Sequence, residues 1–425
     1  MRRRLAVPAM ALAGLLVLSA CSDKATDSGG GGGEGGGGGE AAELATDFGV
    51  TDDLITLGVL TDNSGPFKDL GLGVVQGHEL WIEETNADGG VCERDIAIEV
   101  RDHGYKADTA TIQYPELEPN ILGFMQLLGS PINAALDQNL IDDEVTSVAL
   151  SWSSFILDNP YVVIPGTTYD IEMINGLSYL LDEGLIADGD TIGHIYIQGE
   201  YGENGLLGSQ YFAEQHGITL EAVQVTSTDT DMRNIVTGFA GQGVTAIALT
   251  STPSQTASAA AVNAQLGLNV PLVGNNPVFA PQILNAESAA ALENLFVVAS
   301  AVPFASEVEQ AQAVAAAYEE AGYTELPNAG VPYGYAIGEI WGQILERACE
   351  NGDMTRAGIQ EALRQSENIT TGELVADLDF SKVGTPATNQ VYVAKPNLDL
   401  PGGVEQISEL FVSEDAEGYT APHQE

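Results

Sequence analysis

Covalent catalysis needs a nucleophile, a base within reach of it and a group that orients the base. Five histidines could serve as bases, at positions 78, 103, 194, 216 and 423. No Gly-x-Ser-x-Gly elbow accompanies them, and no two histidines have metal-ligand spacing. His78 falls on the apolar face of a helical pattern and reads as a core residue, and His194 alternates within a strand. His103, in Asp102-His103-Gly104-Tyr105, follows a strand and reads as a surface polar position. Gly71-Leu-Gly73-Val-Val-Gln-Gly77 with Asp102 suggests dinucleotide binding. That chemistry requires the first glycine directly after the strand, so that helix N–H groups cradle a pyrophosphate. Here ten residues separate Leu60 from Gly71, so these glycines read as turn and close-packing positions. Glu79, Glu83 and Glu84 read as a solvated face. Trp152, in the loop Ser151-Trp152-Ser153-Ser154, stands where a strand ends and so reads as a loop residue rather than core.

The elements that must position these residues alternate. Ile55–Leu60 alternates as a strand, and Val74, Val75, His78, Trp81 and Ile82 then recur at helical spacing until Asn86–Gly90 stops the helix. Further strand patterns are Ile96–Val100, Ile121–Leu128, Val145–Leu150, Thr191–Gln198, Leu220–Val225, Val244–Leu249 and Leu295–Ser300. Ile337, Ile340, Trp341, Ile344, Leu345 and Ala348 share one helical face. Strands alternating with helices predict parallel sheets covered on both sides, and their number predicts two α/β lobes. In open α/β sheets ligands bind beyond the carboxyl ends of the strands.

A length of 425 residues suits two domains, and 44% hydrophobic content excludes global disorder. Lys and Arg number 14 against 61 Asp and Glu, a net charge of −47. Such a surface repels phosphate, which argues against nucleic acid and acidic lipid as partners. The first 20 residues read as a signal peptide: Arg2–Arg4 form a positive flank, and the apolar run Leu5–Leu18 is too short for a comfortable membrane span. Leu18-Ser19-Ala20-Cys21 resembles a bacterial lipobox, with Cys21 as the lipidated residue. Residues 21–48, including Gly29–Gly33 and Gly35–Gly39, then read as a flexible tether. The expected location is the outer face of the cell membrane, touched only through the lipid.

Leu57-Gly-Val-Leu-Thr-Asp-Asn-Ser64-Gly65-Pro66-Phe67 and Gly77-His-Glu-Leu-Trp-Ile-Glu-Glu-Thr-Asn-Ala-Asp-Gly-Gly-Val91 resemble the opening of the leucine/isoleucine/valine-type periplasmic binding proteins, the solute receptors of ABC importers. Leu128-Gly-Ser130-Pro131, Val148–Ser154, Gly199-Glu-Tyr201-Gly202 and Tyr333-Gly-Tyr335-Ala336 follow in the order of that family, over roughly Ile55 to Val393. The resemblance implies an α/β fold of two Rossmann-like lobes with parallel sheets, joined by a three-stranded hinge and closing on a small ligand. It implies a first lobe of residues 49–166 and 301–385, a second of 167–300 and 386–412, and a tail of 413–425.

By the same resemblance Ser130 and Ser153 meet a ligand carboxylate, the Trp152 carbonyl accepts from an amino group, and Tyr201 closes from the second lobe. Phe67, Leu70, Trp152 and Tyr333 line the apolar side, and Thr250 and Asn276 are second-lobe contacts. Ser130-Pro131 also reads as a helix cap followed by proline at the first helical position. Asn276 stands near where amino-acid binders of the family offer an acid to the ammonium group. An amide accepts a hydrogen bond but does not neutralise a buried charge, so an amino acid, an amide and a carboxylate all stay open as ligands. In the resembling fold Cys92 and Cys349 share the first lobe, and outside the membrane paired thiols oxidise. A Cys92–Cys349 disulfide is therefore expected, the alternative being two buried free thiols. The expected whole is a monomeric, non-enzymatic solute receptor serving ABC permease subunits and needing no cofactor or metal. A sensor's ligand-binding subunit and a secreted hydrolase are the other readings.

Overall fold

The computed structural model describes residues 44–424. The leader, Cys21 and most of the tether lie outside them. The tether was expected to run to residue 48, but strand β1 (Ala45–Thr46) is already docked. Asp47 explains the anchoring, because its carboxylate accepts the backbone N–H of Arg356 at 3.2 Å.

Five strands, β2 (Leu54–Thr61), β3 (Asp95–Asp102), β4 (Phe124–Leu128), β5 (Ser147–Leu150) and β6 (Val162–Val163), form a parallel sheet in the order β3-β2-β4-β5-β6. A second sheet holds β7 (Thr191–Ile197), β8 (Thr219–Val225), β9 (Ala246–Thr250), β10 (Leu272–Asn275) and β11 (Leu295–Ala299). Past β12 (Asp353–Met354), which pairs with β1, the chain adds β13 (Tyr392–Pro396) and β14 (Val404–Gln406) to give the order β14-β13-β11-β10-β9-β7-β8. β13 runs antiparallel to β11 and β14 antiparallel to β13, while the other five are parallel. Central strands such as β4 (FMQLL) and β9 (AIALT) are buried at every position. Helices cover both faces of such sheets, so the strands carry unbroken apolar runs rather than alternation.

Helix Gly330–Glu350 packs along helix Lys68–Ala87. Gly77 of the false nucleotide fingerprint and Gly334 of the opposing helix make this crossing possible. A Cβ on Gly77 would lie 2.2 Å from the Val331 carbonyl oxygen, and one on Gly334 would lie 2.1 Å from that of Val74. Trp341, fully buried, projects from the same helix toward Gly123. Cys92 and Cys349 are joined by a disulfide between Cα atoms 6.0 Å apart. His78 is buried, with its ring nitrogens 2.8 Å from the Gly334 carbonyl and 3.1 Å from the Gln126 side chain. His103 corrects the surface assignment made for it: it is buried, and its Nδ1 accepts the Tyr105 N–H at 3.0 Å.

Residues 413–424 are docked along their length. Ser178 donates to Asp415, the Ser413 N–H meets the Asn175 side chain, and Ala416, Tyr419 and Ala421 pack on Ile171 and Ile174 of helix Tyr169–Asp182. That helix lies against β10 and β11 of the seven-stranded sheet. The final turn instead meets the five-stranded side: His423 Nε2 is 3.0 Å from the Ser154 carbonyl, and Gln424 donates to the Gly384 carbonyl at 2.8 Å.

Candidate ligand-binding cleft

The loops at the carboxyl ends of the two sheets face each other. After β2, buried Asp62 organises the turn by accepting the backbone N–H groups of Ser64, Gly65 and Phe67. This fixes Phe67 at the start of helix Lys68–Ala87 and aims Leu70 at the cleft. After β4, Gly129 at φ +103° turns the chain into helix Ser130–Asp142. Ser130 is thus the first helical residue rather than the cap, and its hydroxyl lies 2.7 Å from that of Ser151.

Aromatic rings fill the space between. Phe67 lies 4.8 Å from Tyr105 and 6.0 Å from Tyr201, and Tyr201 is 4.6 Å from Tyr169. Trp152 contacts Tyr169 at 5.9 Å and Tyr333 at 5.4 Å. The hydroxyls of two of these are committed: Tyr201 donates to the Ser251 carbonyl and Tyr333 to that of Pro165. The Trp152 carbonyl accepts the Tyr169 N–H at 2.6 Å. Burial raises the phenols of Tyr169, Tyr201 and Tyr333 well above their ordinary range, so all three are neutral donors.

Two cavities flank this cluster, sharing Leu70 and Trp152 as a partition. The smaller is bounded by Ser130, Phe67, Tyr169 and Tyr201. The larger runs from Trp152 and Tyr333 to Phe279, Val297 and Tyr392. Its wall is mostly hydrocarbon and ring, and no lysine, arginine, aspartate or glutamate lines either cavity. Asn276 and Ser300 bring polar atoms to the large one, at the ends of the adjacent strands β10 and β11. Ser300 Oγ accepts the Thr167 N–H at 3.0 Å, which leaves its own proton to donate.

Among the residues the sequence nominated, Ser130, Phe67 and Tyr201 stand at the small cavity, Asn276 and Tyr333 at the large one, and Leu70 and Trp152 at both. Thr250 and Ser153 stand outside both walls. Thr250 donates to Asn275 at 2.9 Å and meets His194 at 3.0 Å, while the Ser153 hydroxyl is buried without a protein partner. Sequence reasoning missed Tyr105, Tyr169, Phe279 and Tyr392, and it missed Glu172. This fully buried acid lies behind Asn276, taking its side-chain N–H at 2.9 Å, its backbone N–H at 3.3 Å and the Asn275 side-chain N–H at 3.0 Å. The lobes also meet where buried Asn204 accepts the Ser154 N–H at 3.2 Å and donates to its hydroxyl at 2.6 Å.

A cleft between two α/β lobes, closed by side chains from both, is the architecture of a solute receptor. The sequence pattern of the periplasmic binding protein family matches residues 54–401. This chain belongs to that family. Its structure is similar to that of a fatty acid ABC transporter substrate-binding protein from Thermomonospora curvata, with 36% identity, a TM-score of 0.87 and coverage of 89% of this chain and 97% of that one. It shares its fold with a branched-chain amino acid ABC transporter protein from Thermus thermophilus with bound valine, at 17% identity and TM-score 0.77, covering 87% and 99% of the two chains. A solute-binding protein from R. palustris in complex with 4-hydroxybenzoate has 17% identity and TM-score 0.73, covering 85% and 98%. No curated protein matches the sequence. The periplasmic binding proteins to which it is similar are solute-binding components of ABC transporters, which take small molecules as ligands. Among the described residues, no helix is long and apolar enough to cross a membrane.

Proposed function

We propose that this protein is a lipid-anchored receptor, held at the outer face of the membrane through Cys21, that captures a carboxylic acid with an apolar chain and delivers it to an ABC importer. The lobes divide at residues 166/167, 300/301 and 385/386 and close about the hinge between them. The observation that carries the ligand class is the larger cavity, whose wall is apolar except near Asn276, Ser300 and Asn328. Burying each methylene of an alkyl chain there contributes about 0.8 kcal/mol. A small zwitterion would leave most of that wall without contact and would find no charged side chain to meet its ammonium. The 36%-identical relative, named for fatty acids, supports the same class. Phe67, Leu70, Trp152 and Tyr333 keep the roles the sequence proposed for them, as apolar walls, and the aromatic cluster crowds the amino-acid-sized space beside Ser130.

The test is a thermal-shift and calorimetric screen of the purified protein against octanoate, decanoate and dodecanoate, with leucine and valine alongside. Ligand binding to the native state alone raises the melting temperature by mass action. Alkyl carboxylates are expected to raise it and the amino acids to leave it unchanged. The reverse pattern would return the ligand to the amino-acid class.

A further inference from the structure

The hydrogen bonds of Glu172 have a fixed polarity. Its Oε2 accepts the Asn276 backbone N–H and the Asn275 Nδ2–H. The first of these cannot reverse. The second is held because Asn275 Oδ1 already accepts from Thr250, and its Nδ2 also donates to the Tyr169 carbonyl. Only the third bond, from Asn276 Nδ2 to Glu172 Oε1, belongs to a carboxamide that can turn. With an ionised Glu172 that amide must direct Nδ2 at the acid and leave Oδ1, an acceptor, for the cavity it lines. With a neutral Glu172 the carboxyl proton sits on Oε1, the oxygen with a single bond to give up, and the amide turns to receive it. Nδ2 is then left for the cavity.

We propose that Glu172 is the residue that reads the charge of the ligand's head, acting through Asn276: ionised, it disfavours a carboxylate beside Asn276 and Ser300, and neutral, it admits one. Charge and orientation act in the same sense, since an ionised Glu172 both repels an anion and presents it with an oxygen. The groups around Glu172 do not offset this. Tyr169 and Asp170 lie on its own helix, Tyr201 approaches from helix Glu200–His216 and Tyr333 from helix Gly330–Glu350, and none of them is a cation. Burial, with Asp170 adding to it, raises Glu172 to about 8 despite the three N–H donors that favour its ionised form. The acid is therefore mostly neutral at pH 7 and ionises just above. By linkage, a carboxylate ligand must in turn raise the pH at which Glu172 ionises.

The inference rests on the alkyl-carboxylate reading above, and its test separates the two. Octanoate, 1-octanol and octylamine are titrated calorimetrically into the protein between pH 6.5 and 9.5, a range in which octanoate itself stays ionised. Octanoate affinity should fall about ten-fold across the range, 1-octanol should show no trend, and any octylamine binding should strengthen with pH. Glu172→Gln keeps the shape and mimics the neutral acid, so its octanoate affinity should be flat and equal to the low-pH value. Asn276→Leu, which removes the turning amide, should shrink the fall. A flat octanoate profile in the unaltered protein, or the same fall in Glu172→Gln, overturns the role of Glu172 while leaving the cavity reading intact. Binding of leucine with no binding of octanoate at any pH overturns the cavity reading and this inference with it.

Discussion

At the scale of single residues, much of what shapes the cleft never touches its lumen. Asp62 is buried and accepts three backbone N–H groups across one turn, so its carboxylate stands in for a strand partner the turn cannot have. Asp62→Ala leaves those donors unmet and should lower stability by roughly 3 kcal/mol, with octanoate affinity falling as Phe67 and Leu70 lose their position. Urea unfolding checks the first, and a loss below about 1 kcal/mol would mean that water replaces the carboxylate. Phe67, Leu70, Trp152 and Tyr333, named from the family resemblance, do line the two cavities. Glu172 was not legible. It stands 104 positions from Asn276, inside an ordinary helical pattern, and only the packing of helix Tyr169–Asp182 on β10 joins the two. Reading Asn276 alone therefore gave a missing acid, whereas the acid is present one layer deeper. His103 misled for a related reason: a polar residue after a strand is exposed only if nothing covers the loop.

At the scale of elements, periodicity located the strands with apolar runs or clear alternation and overlooked β10, β13 and β14. β10 reads Leu-Val-Gly-Asn, and its second half resembles a turn because Asn275 and Asn276 serve the Glu172 network. β13 and β14 lie at an antiparallel margin, where burial is incomplete and the apolar signal is correspondingly thin. The crossing of helices Lys68–Ala87 and Gly330–Glu350 was legible only as a set of glycines without a nucleotide to bind. Gly77→Ala would drive a methyl into the backbone of the opposing helix and should cost roughly 2–3 kcal/mol. Gly241→Ala, at a helical site with open space, should be neutral or stabilising by up to about 1 kcal/mol. Equal thermal shifts for both substitutions would show that the crossing yields where the geometry says it cannot.

At the scale of the whole molecule, two α/β lobes were foreseeable from the number of alternating units, and the cleft and the Cys92–Cys349 bridge from the family resemblance, whereas the docking of the C-terminal segment was not. The Cys92–Cys349 bridge spans 257 positions, and in the chain-entropy account a loop of that length stabilises the fold by about 5 kcal/mol. The Cys92→Ser/Cys349→Ser protein should therefore unfold at markedly lower urea, and a midpoint within error of the oxidised protein would show that the reduced chain is already compact.

The final dozen residues have a mechanical consequence. They are fastened along helix Tyr169–Asp182 on the side of the seven-stranded sheet, yet their last turn grips Ser154 and Gly384 on the other side. Separating the lobes must stretch or detach that grip, at about 1 kcal/mol for each hydrogen bond. If the lobes part about the proposed hinge, the segment acts as a spring in parallel with it, pulling toward the shut position with or without cargo, so that a small part of the work of closure would be done before any ligand arrives.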